Sequence, residues 1–168
     1  MSTPPLVRIP VGVVVERRKA SNPWIDFTWR PVEVLDGQPE AAPWTALSQD
    51  AETTTFYAGA AEIALHRSDT GYYRDNLAAK ATLWVALRPT GVEPPYELLA
   101  VTADPDEGEA FTQAGNDLVE AVPMPERIRA TVAAFVAEHH VEQEFFKRKR
   151  DRADPEALAR RGPLQEDE

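Results

Sequence analysis

Arginine and tryptophan side chains are concentrated near the start of the chain, where residue type and spacing favour the binding of a ligand. The residues are Arg17, Arg18, Trp24, Trp29 and Arg30. Tryptophan beside arginine permits stacking and cation–π contact, and both residue types are enriched at binding hot spots. The pattern therefore predicts a binding surface. The alternative is that Trp24 and Trp29 are core residues that cover the mouth of a barrel.

A second group of cations lies near the C-terminus. Seven of the 18 lysine and arginine residues fall between Lys147 and Arg161, although the formal net charge of the chain is -10. Cations in the last turn of a helix complement its dipole, which accounts for one or two of them. The excess predicts a docking segment for an acidic partner or for the acidic body of the protein itself. Its residues are Phe145, Phe146, Lys147, Arg148, Lys149, Arg150 and Arg152.

No residue is predicted to be catalytic, and no metal ion or cofactor is expected. The chain has no cysteine, and it lacks the nucleophile-elbow, P-loop and dinucleotide-binding motifs. His139 and His140 point about 100° apart on a helix, and His66 has only Asp69 at ligand spacing. The acidic run 104–109 fits a helix start better than a cation site. A binding protein is therefore favoured over an enzyme, although residues distant in sequence can assemble a catalytic site.

The composition indicates a cytoplasmic protein that binds neither membranes nor nucleic acids. The longest apolar runs are far shorter than the 18 or so residues of a transmembrane helix. The start, "MSTPPLVRIPVG", lacks the basic, apolar and small-residue regions of a signal peptide. An acidic body repels the phosphates of nucleic acids and anionic lipids.

The first two thirds of the chain alternate between apolar and polar residues, which predicts β-strands. Five strands are expected, at residues 6–18, in the stretch that ends at 36, and at 53–67, 80–89 and 94–105. Pro10 and Gly12 suggest that the first is an edge or bent strand. Residues 36–50 are expected to form a surface loop, and residues 68–79 a turn with one helical turn. Strands without long helices between them predict an antiparallel meander of at least five strands, closed as a small barrel or folded as a sandwich.

The last third has helical periodicity. A helix is expected from Pro105 to Gly115, and a longer one from about Pro125 to Phe146. The apolar stripe of the longer helix contains Ile128, Val132, Phe135, Val136, His139 and Phe146. A short terminal helix over 155–161 needs external support, because helices of that length are unstable alone. The sequence thus predicts one α+β domain at 1–146, followed by a basic and then acidic segment at 147–168.

Two blocks carry a family resemblance. "RIPVGVVVERRKASNPWIDFTWRPVEVL" and "FFKRKRDRADPEALARRGPL" resemble a family of uncharacterised bacterial proteins that are often encoded beside formate dehydrogenase genes. The resemblance extends from about Arg8 to Leu164. It implies an accessory or assembly protein in the maturation of a molybdenum-dependent formate dehydrogenase. The partner would be formate dehydrogenase or one of its maturation factors, and a homodimer is a further expectation.

Some members of that family are labelled molybdopterin-guanine dinucleotide biosynthesis protein A, which implies an enzyme that binds a nucleotide and the molybdenum cofactor. Such an enzyme needs a Rossmann-like domain with a glycine-rich nucleotide loop. Here the first strand continues into "ERRKASNPW", without the glycines that let a backbone wrap a phosphate. A deep pocket lined by Arg17, Trp29 and Arg30 would favour the enzyme. A flat apolar patch with the basic segment extended along it would favour the accessory protein, which ranks first. An unrelated binding module is the remaining alternative.

Overall fold

The computed structural model describes residues 4–113 and 115–140. Within those residues the chain forms seven strands in two antiparallel sheets, together with three α-helices. The strands are β1 (Val7–Lys19), β2 (Phe27–Asp36), β3 (Thr45–Gln49), β4 (Thr53–Leu65), β5 (Thr82–Pro89), β6 (Tyr96–Thr102) and β7 (Leu118–Pro123). The helices are α1 (Thr70–Lys80), α2 (Pro105–Gln113) and α3 (Glu126–His139). The predicted α+β class is confirmed.

Strand β1 is the centre of the first sheet, whose order is β2-β1-β4-β3. Its alternating Ile9, Val11, Val13 and Val15 are buried in the common core, as the alternation predicts. The expected edge position is wrong, because β1 pairs with β2 on one side and with β4 on the other. Pro10 pairs with Glu62 of β4, but its carbonyl oxygen accepts from the amide of Gly37 at 3.1 Å, so its polar groups face β2. The ladder with β2 begins one residue later, and the missing N–H of Pro10 therefore breaks no ladder bond. Register shifts around Val13–Val15 interrupt both ladders.

The predicted loop over residues 36–50 contains a strand. Strand β3 pairs with the first half of β4 and forms the outer edge of the first sheet. All five of its side chains are exposed. An edge strand with neither face buried has no apolar alternation, which is the physical reason that the sequence pattern did not indicate it.

The second sheet has the order β6-β5-β7, and its central strand β5 buries Leu83, Val85 and Leu87 completely. These side chains join the same core as those of β1. Strand β2 lies beside β7, and β4 lies beside β6. The ladders of the described strands nevertheless stay within each sheet, so the two sheets do not form a closed barrel. Strand β7, which was not predicted, completes the second sheet.

Helix α1 has 11 residues, where only one helical turn was expected. Its buried residues are Thr70, Tyr73 and Asn76, spaced three apart. Two of the three are polar, so the buried face of the helix does not appear as an apolar stripe in the sequence. Helix α2 follows the predicted cap, since the amide of Asp106 donates to Oδ1 of Asp104 at 2.9 Å.

Helix α3 begins where expected and buries the predicted stripe of Ile128, Val132, Phe135 and Val136. It ends at His139 instead of Phe146, because the backbone of His140 is extended, with φ -74° and ψ 132°. Atom Nδ1 of His140 lies 3.0 Å from Oγ1 of Thr70, which joins this helix end to the start of α1. The predicted helix at 155–161 lies outside the described residues.

Candidate functional site

The turn between β1 and β2 presents an apolar tip to solvent. The amide of Trp24 donates to Oδ1 of Asn22 at 2.8 Å, and the amide of Ile25 donates to the carbonyl oxygen of Asn22 at 3.2 Å. These bonds form the Asx-type turn that asparagine favours. Trp24 is 90% exposed and Ile25 is 50% exposed. The interpretation of Trp24 as a core residue is therefore wrong.

Arg17 and Trp29 lie opposite each other on neighbouring strands β1 and β2. The guanidinium carbon of Arg17 is 4.4 Å from the ring centroid of Phe27, 5.2 Å from that of Phe56 and 5.7 Å from that of Trp29. Three aromatic rings thus surround one cation at cation–π distance. The structure brings together two of the five residues that the sequence singled out.

Further aromatic rings extend this cluster around Trp29. Its ring centroid lies 5.8 Å from that of Phe56, 6.1 Å from that of Trp44 and 6.2 Å from that of Tyr96. We call this group the aromatic cage: Arg17, Phe27, Trp29, Trp44, Phe56 and Tyr96. All six side chains are partly buried. Trp44, Phe56 and Tyr96 were missed in the sequence because they reach Trp29 only through packing between segments that are distant in the chain.

The polar groups of Arg17 are poorly paired. Atom Nη2 lies 3.4 Å from Oγ1 of Thr54, which is long for a hydrogen bond. Atom Nε is buried and makes no hydrogen bond to any described residue. Among the described carboxylates, none forms an ion pair with Arg17. Its charge is therefore held by aromatic rings and by one hydroxyl.

Arg18 and Arg30 lie on the other face of the hairpin. Atom Nε of Arg18 is 3.1 Å from Oε2 of Glu16, and Nε of Arg30 is 3.9 Å from the same oxygen. Both arginine side chains are more than half exposed, at 54% and 58%. The five predicted residues therefore occupy three places: the aromatic cage, the outer face and the tip of the turn.

Two depressions of about 380 Å³ each lie elsewhere on the surface. One is lined by Pro4, Leu6, His66, Arg67 and Ser68. The other runs along 32–36 of β2 and 123–125 after β7. Neither depression is lined by Arg17, Trp29 or Arg30. Over 4–113 and 115–140, no three histidine, aspartate or glutamate side chains are grouped as metal ligands. Within the same ranges, no helix has the length and apolar character needed to cross a bilayer.

The predicted docking segment follows the last described residue, His140. Phe145, Phe146, Lys147, Arg148, Lys149, Arg150 and Arg152 all lie outside the described residues, so their role stays a prediction.

Comparison with protein-family models places residues 10–150 in a family described as a protein of unknown function, DUF3305. The chain belongs to the DUF3305 family. No curated protein and no solved structure matches this DUF3305 chain. The matched region contains all seven strands and all three helices, apart from the first three residues of β1, so the aromatic cage lies within the family's domain.

Proposed function

We propose that this DUF3305 protein is a non-enzymatic accessory protein that binds a protein partner at the end of the molecule where β1 and β2 meet. We call this region the hairpin end; it consists of the turn 20–26 and the aromatic cage. The observation that carries the proposal is the 90% exposure of Trp24 in a turn held by Asn22. A tryptophan offers a large contact area, and an ordered turn reduces the entropy lost on binding.

The surroundings of Trp24 support the same proposal. Ile25, the next residue in the turn, is half exposed. Residues 16–30 contain four lysine or arginine residues and two acidic ones, in a chain of formal charge -10. An apolar tip with a locally positive stem suits a partner surface that is apolar and rimmed by carboxylates.

Formate dehydrogenase or one of its maturation factors is the partner that the sequence resemblance implies. We propose that the protein assists the maturation of a molybdenum-dependent formate dehydrogenase. The alternative, an enzyme of molybdopterin-guanine dinucleotide biosynthesis, fits less well because every described strand pair is antiparallel. Arg17 and Arg30 also lie on opposite faces, so they do not line a common pocket. A rise in melting temperature with GTP and Mg²⁺ would support that alternative instead.

The test compares capture of formate dehydrogenase subunits and maturation factors by tagged full-length variants. The native host is grown under conditions that induce formate dehydrogenase. We expect Trp24→Ala to weaken capture about thirtyfold, the effect of losing a binding hot spot. Tyr72→Ala is the matched control, because Tyr72 is an exposed aromatic residue on α1. It lies near the opposite end of β1, a strand about 40 Å long. Equal capture by Trp24→Ala and the wild type would contradict the proposal.

The C-terminal segment is proposed as a second contact. Deletion of residues 145–168 should leave the described fold intact and weaken association with the partner or with a second copy. The wild-type association should also weaken with salt, because exposed charges are screened beyond about 10 Å at 0.1 M. Size-exclusion chromatography and capture at low and high salt provide the measurement. Unchanged association after truncation would mean that the basic run makes no contact.

A further inference from the structure

We infer that Arg17 is the anchor for a carboxylate of the partner, supplied by an aspartate or glutamate side chain that enters the aromatic cage. This inference rests on the proposed function, which supplies the partner, and it names the chemistry that the hairpin end recognises. Trp24 would provide apolar contact area at the tip, and Arg17 would provide selectivity for acidic segments.

The first argument is the unused hydrogen-bonding capacity of Arg17. A guanidinium group has five N–H donors. Arg17 makes one long contact, with Thr54, and its buried Nε has no acceptor among the described residues. Aromatic rings attract the cation through their faces but provide no oxygen acceptor. The terminal nitrogens are not among the buried unpaired atoms, so their N–H groups are the donors available to an acceptor that the partner brings.

The second argument is the contrast with other arginines of the protein. Arg8, Arg88, Arg127 and Arg129 each have a carboxylate oxygen within 4.0 Å, and these arginines lie on the surface. Arg17 is more enclosed than these four arginines, yet it has no counter-ion among the described carboxylates. Its pairing would be strengthened by the surrounding rings, because they exclude water from the contact.

A carboxylate matches the site better than a phosphate group. One guanidinium carries a single positive charge, and a carboxylate neutralises it while accepting two parallel N–H bonds. A phosphate would bring a second negative charge toward a chain that is already acidic. Arg17 is only partly buried, and Nε is the guanidinium nitrogen that is buried without a partner, so a carboxylate would bind through the terminal N–H groups.

The direct test uses acetate as the probe on the purified full-length protein. The ¹⁵Nε–¹Hε resonance of Arg17, assigned by its absence in Arg17→Lys, is followed during titration with sodium acetate. Sodium chloride at equal ionic strength is the control, and inorganic phosphate is a further arm. We expect a saturable shift with acetate, none with chloride, and none at Arg18 or Arg30, which already contact Glu16. Absence of a saturable acetate shift, or tighter binding of phosphate than of acetate, would overturn the inference.

The second test uses the partner captured in the experiment described above. Arg17→Met keeps an unbranched side chain between the rings and removes the charge, so we expect the fold to persist and partner binding to fall about thirtyfold. If Arg17→Met does not fold, Arg17→Lys keeps the charge without the planar fork and should bind measurably more weakly than the wild type. Full binding by a folded Arg17→Met variant, with Trp24→Ala still impaired, would overturn the inference while the proposed function stands.

Discussion

The side-chain amide of Asn76 donates to the carbonyl oxygen of Ala103 at 2.9 Å, although the two residues are 27 positions apart in sequence. The same Nδ2 donates to the carbonyl oxygen of Thr82 at 2.8 Å, and Oδ1 accepts from the amide of Thr82 at 3.1 Å. Asn76 is 4% exposed. One buried amide thus connects α1 to the start of β5 and to the residue after β6. It leaves none of its own polar atoms unpaired.

Asn76→Asp should destabilise the protein by about 3 kcal/mol or more. An aspartate places a carboxylate against two carbonyl oxygens and cannot donate to either one, so a buried charge is left uncompensated. Urea denaturation measures the change in the free energy of unfolding. Asp75→Asn is the control on the same helix, because Asp75 is exposed, and it should change stability by less than about 0.5 kcal/mol. Equal stability of the two variants would refute the structural role of Asn76.

Gly108→Ala should destabilise the protein by about 2 kcal/mol or more through overpacking. A Cβ atom at this position of α2 would lie 2.5 Å from Cγ and 2.7 Å from Cδ2 of Trp84 on β5, at the buried residue where the helix packs on the sheet. Gly71→Ala in α1 is the matched control, since the nearest atom to its Cβ, Cε1 of His140, lies at 4.0 Å. Alanine there should stabilise the helix by about 0.5–1 kcal/mol. Thermal melts should therefore show a lower melting temperature than the wild type for Gly108→Ala and a higher one for Gly71→Ala.

Much of the strand pattern could be predicted from sequence because one face of each central strand is buried. The alternation in β1, β4 and β5 indicates the core directly. The sequence did not indicate β3, which has no buried face, or α1, whose buried face is largely polar. The aromatic cage was predicted only in part for a related reason. Arg17 and Trp29 are close in the chain, whereas Phe56 and Tyr96 reach them through pairing and packing between distant segments.

Asp104→Asn should preserve the cap of α2, whereas Asp104→Ala should cost about 0.5–2 kcal/mol. Burial raises the pKa of the Asp104 carboxyl, and the charges of Asp69 and Asp106 add to this effect. A raised folded-state pKa gives a contribution to stability that is present below the unfolded pKa and lost as pH rises through the folded value. Asparagine avoids this loss. The stability of Asp104→Asn relative to the wild type should therefore be greater at pH 7 than at pH 3, as measured by denaturation at both pH values. A smaller relative stability of Asp104→Asn at pH 7 than at pH 3 would contradict the raised pKa of the Asp104 carboxyl.

Stability should fall between about pH 10 and pH 12 because of Tyr73. Burial raises the pKa of its phenol from 10.0 to about 12. Between these two values the phenol ionises in the unfolded chain but stays neutral in the folded protein, so ionisation favours unfolding as pH rises. Tyr73→Phe should show a smaller decrease than the wild type. At pH 7 the same variant should be less stable by about 1 kcal/mol, because the amide of His66 loses the phenol oxygen that it donates to at 2.9 Å. Parallel denaturation series at pH 7, 10 and 12 test both effects.

The position of Trp24 gives the protein a natural fluorescence reporter. Trp29, Trp44 and Trp84 are partly buried, whereas Trp24 is surrounded almost entirely by water. Indole emission shifts to longer wavelength in water, and iodide quenches exposed indoles preferentially. The red edge of the emission spectrum therefore reports mainly on Trp24. A partner that covers the turn would shift this emission to the blue and protect it from iodide, so occupancy of the hairpin end can be followed without any attached label.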